Sequence, residues 1–388
     1  MKLPETFIAN TRLLLGNEWA DFERALLEDS PVSVRLNPAK PAKHVWQGEK
    51  SVPWASDGYY LPERPVFTLD PLFHAGTYYV QEASSMYLEQ VVGDYISPSS
   101  NVLDLCAAPG GKSTQLSALL PGDALLVANE VIRSRANILA ENLTKWGNPN
   151  TIVTNNDPAA FANLLGFFDM VVADLPCSGE GMFRKDPAAI GEWSPANVEL
   201  CAQRQRRIVA DVWPTLKENG LFVYSTCTYN REENEENLDW IQKECGAEIA
   251  VEPIRFWPHR SRGEGFFIAA LRKTGSETTS SKKREQFPRK AASVKSIAAN
   301  WLKQPDDFIV VEEHNRLTAI PSIHFGDYQT LKKALRISIA GTELGETKGR
   351  DIIPAHALAM STAFDRDAFP HWEVDKGLAL SYLRKEAI

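Results

Sequence analysis

Asn101-Val102-Leu103-Asp104-Leu105-Cys106-Ala107-Ala108-Pro109-Gly110-Gly111-Lys112-Ser113-Thr114 is the stretch that decides the fold. An apolar run of strand character ends at Asp104, small residues follow, and two glycines lead into a helical segment. Such a passage suits a chain that leaves a sheet, turns sharply and enters a helix. Gly110 and Gly111 let the backbone come close to a ligand, and the free N–H groups of the helix start favour an anionic group. A triphosphatase loop, G-x-x-x-x-G-K-[ST], needs Gly where Cys106 stands, and G-x-G-x-x-G is absent.

Working outward, short apolar runs alternate with helical stretches. Strands are expected at 101–107, 124–129, 151–154, 168–174, 220–226 and 265–271, with helices at 113–120, 131–146, 197–217 and 232–245. This βαβ rhythm predicts an α/β fold with a doubly wound, mostly parallel sheet, whose ligand crevice lies at the carboxyl ends of the strands. The second strand ends in Asn129-Glu130, where an acid can accept both ribose hydroxyls. The third is followed by Asn156-Asp157, suited to an adenine amino group. Each acid alone is more often a helix cap or a turn. Together with the glycine loop they predict an adenosine-type pocket.

Residues 1–80 read as a small α+β unit, with an amphipathic stretch over 11–28 and a strand at Val32–Leu36. Residues 81–273 form the catalytic unit. Residues 274–296 are polar and basic, with Lys282, Lys283, Arg284, Arg289, Lys290 and Lys295, and read as a linker. Residues 297–388 form a further small α+β unit, with pieces at 308–311, 316–320 and 328–337.

The composition, 44% hydrophobic and 24% charged, is that of a folded globular chain rather than a disordered one. Neither a signal-peptide core nor an eighteen-residue apolar run is present, so a cytoplasmic protein without a membrane span is expected. The net charge of −8 is awkward for a nucleic-acid partner, but it is uneven: −2 over 1–80, −8 over 81–273 and +2 over 274–388. A local basic face is compatible with that distribution. The acidic run Glu232, Glu233, Glu235 and Glu236 opens a helix and is assigned to the helix dipole.

Five cysteines, at 106, 177, 201, 227 and 245, show no CxxC spacing, which points to reduced thiols. The seven histidines show no ligand spacing with them, so no metal is expected. Cys177 and Cys227 each follow a predicted strand, so neighbouring strands bring them to one rim. A single cysteine at a strand end is usually a small buried hydrophobe; two in exit loops suggest chemistry. Cytosine C5 is too weak a nucleophile to take a sulfonium methyl directly. A thiolate adding at C6 supplies the electron density, which is covalent catalysis. Asp174 is placed to hydrogen-bond or protonate N3, or else to form the turn before Pro176. The residues alone leave the two cysteines interchangeable as nucleophile.

The ordered motifs DLCAAPGGKSTQ (104–115), NE (129–130), ND (156–157), DLPCSGEGMFRKDP (174–187) and YSTCTYNREENEE (224–236) resemble those of the RNA 5-methylcytosine methyltransferases of the Nol1/Nop2/Sun family. The resemblance covers about residues 30–273. VSVRLNPAK (32–40) and HAGTYYVQEASSM (74–86) resemble the region before that family's catalytic domain, and SGEGMFRKDP followed by Trp193 resembles its bacterial subgroup acting on small-subunit ribosomal RNA.

The resemblance implies a class I, Rossmann-like methyltransferase sheet, S-adenosyl-L-methionine as cofactor and 16S ribosomal RNA, within the small subunit, as partner, for a chain expected to be a monomer. It makes Cys227 the nucleophile and Cys177 the residue that assists release. It lines the cofactor site with Cys106, Ala107, Ala108, Pro109, Gly110, Gly111, Lys112, Glu130, Asp157 and Asp174. Relatives of the subgroup carry a PUA-like module near the C-terminus, whereas this sequence stops where that module is expected to begin. Arg35, Arg184 and Lys185 are candidates for RNA contact, with Met182, Phe183 and Trp193 as a wedge beside a flipped base or as ordinary packing. A methyltransferase for protein or small molecules, and a non-enzymatic RNA-binding factor, are the rival readings.

Overall fold

The computed structural model describes residues 2–43, 50–274 and 297–386, and the basic stretch expected to be a linker lies outside them. Fifteen strands form three sheets among the described residues. The central one is built on β4 (Asn101–Asp104), β5 (Leu125–Asn129), β6 (Thr151–Thr154), β7 (Phe168–Asp174) and β8 (Leu216–Thr226). These five are parallel, with β4 between β5 and β7. β10 (Phe266–Lys273) runs antiparallel to β8, and β9 (Ala247–Phe256) closes that edge.

Alternation along these strands buries both faces. Leu103, Val127, Val171, Phe222 and Phe267 pack on one side, and Val102, Leu126, Val172, Val223 and Ile268 pack on the other. A parallel sheet covered twice explains why its strands read as nearly continuous apolar runs. The helices Gly111–Leu119, Arg133–Trp146, Pro195–Val212 and Glu235–Cys245 fall on the expected segments.

Two strands depart from expectation. β9 was not anticipated because AEIAVEPIRF carries acids and Pro253, features that belong to an edge strand rather than an interior one. The eighth strand, β13 (Ile337–Ala340), comes from the C-terminal region and pairs antiparallel with β6. The stretch 328–337 is therefore mostly the helix Phe325–Ala334, and the C-terminal unit shares its first crossover with the central sheet. Gly341, at φ +60°, turns the chain from β13 into a four-stranded sheet ordered β11 (Phe308–Glu313), β12 (Arg316–Pro321), β14 (Thr342–Lys348) and β15 (Asp351–Pro354). A Cβ there would sit 2.2 Å from the Ala319 carbonyl oxygen.

The N-terminal unit holds β1 (Val32–Leu36) between β2 (Gly58–Leu61) and β3 (Tyr78–Val80). Its amphipathic stretch is split at Gly16 into helices Glu5–Leu15 and Trp19–Ala25. These bury Phe7, Trp19 and Phe22 against Phe183, Trp193, Tyr229 and Trp257. Phe7 meets Phe183 edge-on at 5.0 Å, and Tyr229 stacks on Trp257 at 4.6 Å. No described helix is long and apolar enough to cross a membrane.

Arg184 clasps these parts together. Its guanidinium donates to Glu264 (Nε to Oε2, 3.0 Å), to the Gly263 carbonyl at 2.7 Å and to the Ala25 carbonyl at 3.2 Å. Both charged side chains are 4% exposed. Removing one partner of such a pair strands the other charge, so Arg184→Ala should destabilise the chain by about 3–5 kcal/mol. The double change Arg184→Met with Glu264→Gln should recover part of that loss, as urea unfolding will measure.

Candidate active site

The exit loops of β7 and β8 lie side by side because the two strands pair through Asp174 and Ser225. Cys177 and Cys227 follow, and their sulfurs are 3.1 Å apart. The Cys227 backbone N–H also points at the Cys177 sulfur, at 3.3 Å. Both cysteines are partly accessible, whereas Cys201 is buried in its helix. The hydrogen bond to the Cys227 sulfur, burial and the charge of Glu233 together push the Cys177 thiol well above its ordinary range.

Asp174 stands at the end of β7 with both oxygens engaged. Lys112 Nζ donates to Oδ2 at 2.8 Å and Ser225 Oγ to Oδ1 at 2.9 Å. Burial opposes the Lys112 charge, but Asp174, Asp104 and Cys227 outweigh it and hold the ammonium above its ordinary value. The cation also lies 4.9 Å from the Phe266 ring centre. Lys112 thus joins the glycine loop to the Asp174 carboxylate.

The predicted cofactor residues converge on the same rim. Gly110 takes φ +116° and precedes the helix Gly111–Leu119. Glu130 is 2% exposed, accepts from the Ile132 N–H at 2.9 Å and lies 3.5 Å from Arg135, which also donates to the Ala108 carbonyl. Asp157 caps the turn Pro158–Asn163 by accepting from the Ala159 N–H, so the ordinary capping role is realised there. Its side chain remains 48% exposed at the crevice. Burial, then the neighbouring carboxylates, push the Cys106 thiol up, which leaves that cysteine a poor nucleophile.

The RNA candidates divide. Lys185 is exposed. Arg35 is 2% exposed and faces inward, donating to Gln81 at 2.8 Å and Thr114 at 2.7 Å beneath the glycine loop, so it supports that loop rather than presenting charge outward. Arg184 is likewise consumed by Glu264. Phe183 and Trp193 lie in the aromatic cluster of the N-terminal helices, the packing alternative rather than a wedge.

Residue-by-residue reading missed three acids. Asp104 is fully buried and accepts from Ser113 Oγ at 2.6 Å. Glu180 and Glu233 are buried beneath the cysteine loops. Glu233 corrects the dipole assignment: it lies before the helix Glu235–Cys245 and accepts from the Ser178 N–H at 3.0 Å. Glu235 and Glu236 do occupy the first turn. No signal distinguished Glu233 from its acidic neighbours, since only the fold turns it inward. A cavity of 620 Å³ between the helix Arg133–Trp146 and the C-terminal sheet is lined by Glu313, Arg316 and Lys332 and includes neither thiol. Among the described residues no group of three or more His, Cys, Asp or Glu is arranged to hold a metal.

Comparison with known proteins agrees with this geometry. Residues 95–272 match the family described as 16S rRNA methyltransferase RsmB/F, and residues 3–83 match the N-terminal domain of 16S rRNA methyltransferase RsmF. Ribosomal RNA small subunit methyltransferase F of Pectobacterium atrosepticum is 35% identical over 71% of this chain and 63% of its own length. Its counterpart from Shewanella amazonensis is 32% identical over 81% of this chain and 73% of its own. That of Serratia proteamaculans is 30% identical over 97% and 86%. The chain therefore spans less than two thirds of the first of these relatives and more of the other two.

A methyltransferase homolog from Pyrococcus horikoshii superposes with a TM-score of 0.61 at 28% identity, covering 70% of this chain and 95% of that one. NSun6 of the same organism, at 20% identity and a TM-score of 0.59 over 70% and 99%, shares the fold. With a Rossmann-like sheet, two matched segments and relatives of this extent, the chain belongs to the 16S rRNA methyltransferase RsmB/F family, on its F branch.

Proposed function

We propose that the protein transfers a methyl group from S-adenosyl-L-methionine to C5 of a cytosine in RNA, with 16S ribosomal RNA of the small subunit as substrate, through a covalent bond between Cys227 Sγ and C6. The observation that carries this reading is the pair of thiols 3.1 Å apart at the strand ends, beside the Lys112–Asp174 ion pair. Family membership supports methyl transfer to ribosomal RNA; the pair of thiols supports the cytosine chemistry.

The residues suit a cationic cofactor. Asp104 Oδ1 is buried with no hydrogen-bond partner among the described residues. Burial, with Asp174 and Glu130 adding to it, raises the Asp104 carboxyl to about 7 against the opposing Ser113 bond and Lys112 charge. An ammonium or sulfonium group placed there would relieve that unmatched demand. Asp104, Glu130, Asp157 and the loop Cys106–Lys112 would hold the cofactor, which supplies the methyl group at C5.

The chain's own residues handle electrons and protons. Cys227 supplies the attacking sulfur. The Cys227 thiolate adds to C6 as N3 takes up a proton from solvent, and the Asp174 carboxylate accepts from the resulting N3–H, which leaves the added electron density at C5. Once C5 carries the methyl group a solvent base takes the C5 proton, that C–H electron pair forms the C5=C6 double bond, and the C6–S pair returns to the Cys227 sulfur as the bond breaks. Cys177 assists this release, the role that the resemblance implies.

Under this reading Cys177→Ala should accumulate an enzyme–RNA adduct that survives denaturing electrophoresis, while Cys227→Ala should form none. Equal behaviour of the two variants would defeat the assignment, and mapping of methylated cytosines in 16S RNA tests the substrate. Asp104 supplies a second check. Its raised carboxyl pKa contributes stability below the unfolded value near pH 4 that is lost as pH rises through about 7. Asp104→Asn should therefore raise Tm at pH 8 by on the order of 5 °C, with the gain vanishing towards pH 4. In calorimetry the same change should weaken S-adenosyl-L-methionine binding by about tenfold.

A further inference from the structure

Two fully buried carboxylates lie beneath the cysteine loops, and each reaches across to the loop that does not carry it. Glu180 stands three residues after Cys177 and is 2% exposed. Its Oε2 accepts from the Thr228 hydroxyl at 2.8 Å and from the backbone N–H groups of Tyr229 and Asn230 at 2.8 and 2.9 Å, the residues directly after Cys227. Its other oxygen accepts from Trp193 Nε1 at 2.9 Å. Glu233 stands six residues after Cys227 and is fully buried. It accepts from the Ser178 N–H, directly after Cys177, at 3.0 Å, from Gln205 Nε2 at 2.8 Å and from Asn230 Nδ2 at 2.8 Å.

Between them the loops are laced along their length. Ser178 Oγ and Thr228 Oγ1 are 3.0 Å apart, and the Gly181 N–H donates to the Cys227 carbonyl at 2.9 Å. Gly181 permits that approach, since a Cβ would lie 2.9 Å from the Cys227 oxygen and 2.5 Å from that of Gly265. The pairing of β7 with β8 ends at Asp174 and Ser225, with one further bond from the Leu175 N–H to the Ser225 carbonyl. Beyond that point the sheet no longer sets the distance between the chains.

We propose that Glu180 and Glu233 are positioning residues that set the spacing of the two thiols, each carboxylate being carried by one cysteine loop and bonded to the backbone of the other. The chemistry of the donor set explains why carboxylates stand there. Every partner is an N–H or O–H, and an ionised carboxyl is acceptor at both oxygens, whereas a Gln side chain of the same shape presents two N–H groups at one end. Glu180→Gln therefore sets donor against donor either at Trp193 or at the Cys227 loop. In Glu233→Gln the conflict falls at Gln205 or Asn230, and Gln205 already accepts from Tyr224 and Asn237 through its other end.

Thiol spacing can be read without reference to any reaction. Diamide takes two electrons and two protons from a pair of neighbouring thiols and leaves a disulfide. In the full chain it should couple Cys177 to Cys227, as peptide mass spectrometry would identify. Glu180→Gln and Glu233→Gln should slow that coupling by about tenfold or more, the scale expected when reacting atoms are displaced by about 1 Å. Cofactor binding by calorimetry should stay near that of the parent, while Tm falls by a few degrees for the buried donor left unmatched. Coupling at the parent rate in both variants would overturn the proposal. So would coupling that falls only in step with lost cofactor binding, because that marks general support of the fold.

The consequence for turnover rests on the reaction proposed above. Attack needs one thiol and release needs two in register, so both Gln variants should accumulate the RNA adduct as Cys177→Ala does. Slowed coupling with no adduct from any variant, Cys177→Ala included, would uphold the positioning role and reject the reaction.

Discussion

Where β7 and β8 stop pairing, two backbones leave the sheet at its buried rim and their N–H groups still need acceptors. An unpaired buried donor costs about 1–3 kcal/mol, so the loops hold their shape only if something beneath them accepts. Glu180 and Glu233 fill that need, and Asn230 Oδ1 accepts from the Glu233 N–H, while Asn230 Nδ2 and Gln205 Nε2 donate to the Glu233 carboxylate. The network extends to Tyr224, whose single O–H is shared between the Gln205 side-chain oxygen and the Glu233 carbonyl. A fully satisfied buried network rigidifies what it touches. Here it touches the residues that follow both thiols.

The flanking segments act on the same rim from outside. The helices Glu5–Leu15 and Trp19–Ala25 press on Phe183, Trp193 and Tyr229, residues of the cysteine loops and their continuation. Arg35 of β1 supports the glycine loop from below, with its guanidinium 4.7 Å from the Trp146 ring. At the far edge β13 extends the central sheet. The N-terminal unit therefore contributes to the site by buttressing its loops.

The legible part of the molecule is the part governed by local periodicity. The strands at 151–154 and 168–174 fall on the residues that the apolar runs mark, because a strand buried on both faces has few ways to be misread. β13 was illegible for the opposite reason: Ile337–Ala340 becomes a strand of the central sheet through a pairing with residues nearly two hundred positions earlier. At the site, motif order pointed to Cys177, Cys227 and Asp174. The inward turn of Arg35 and Arg184 was hidden, since a charged side chain in a loop or short strand reads as exposed until the fold supplies Gln81 or Glu264 as partner. Glu233 was hidden among Glu232, Glu235 and Glu236 in the same way.

These burials also change what the net charge of −8 means. Formal charge counts every carboxyl equally, but a partner outside the protein senses mainly those near water, because exposed charges act through a screened range of about 8 Å at physiological salt. Asp104, Glu130, Glu180, Glu233 and Glu264 are all 3% exposed or less, against Arg35 and the side chain of Arg184 among the cations. More acid than base has been drawn inside, and it faces N–H groups, a guanidinium or the cofactor crevice. The outer surface is therefore less acidic than the sequence total. The internal acids serve loop geometry and, under the proposed function, a cationic cofactor, so their negative charge lies where a polyanionic substrate would not meet it.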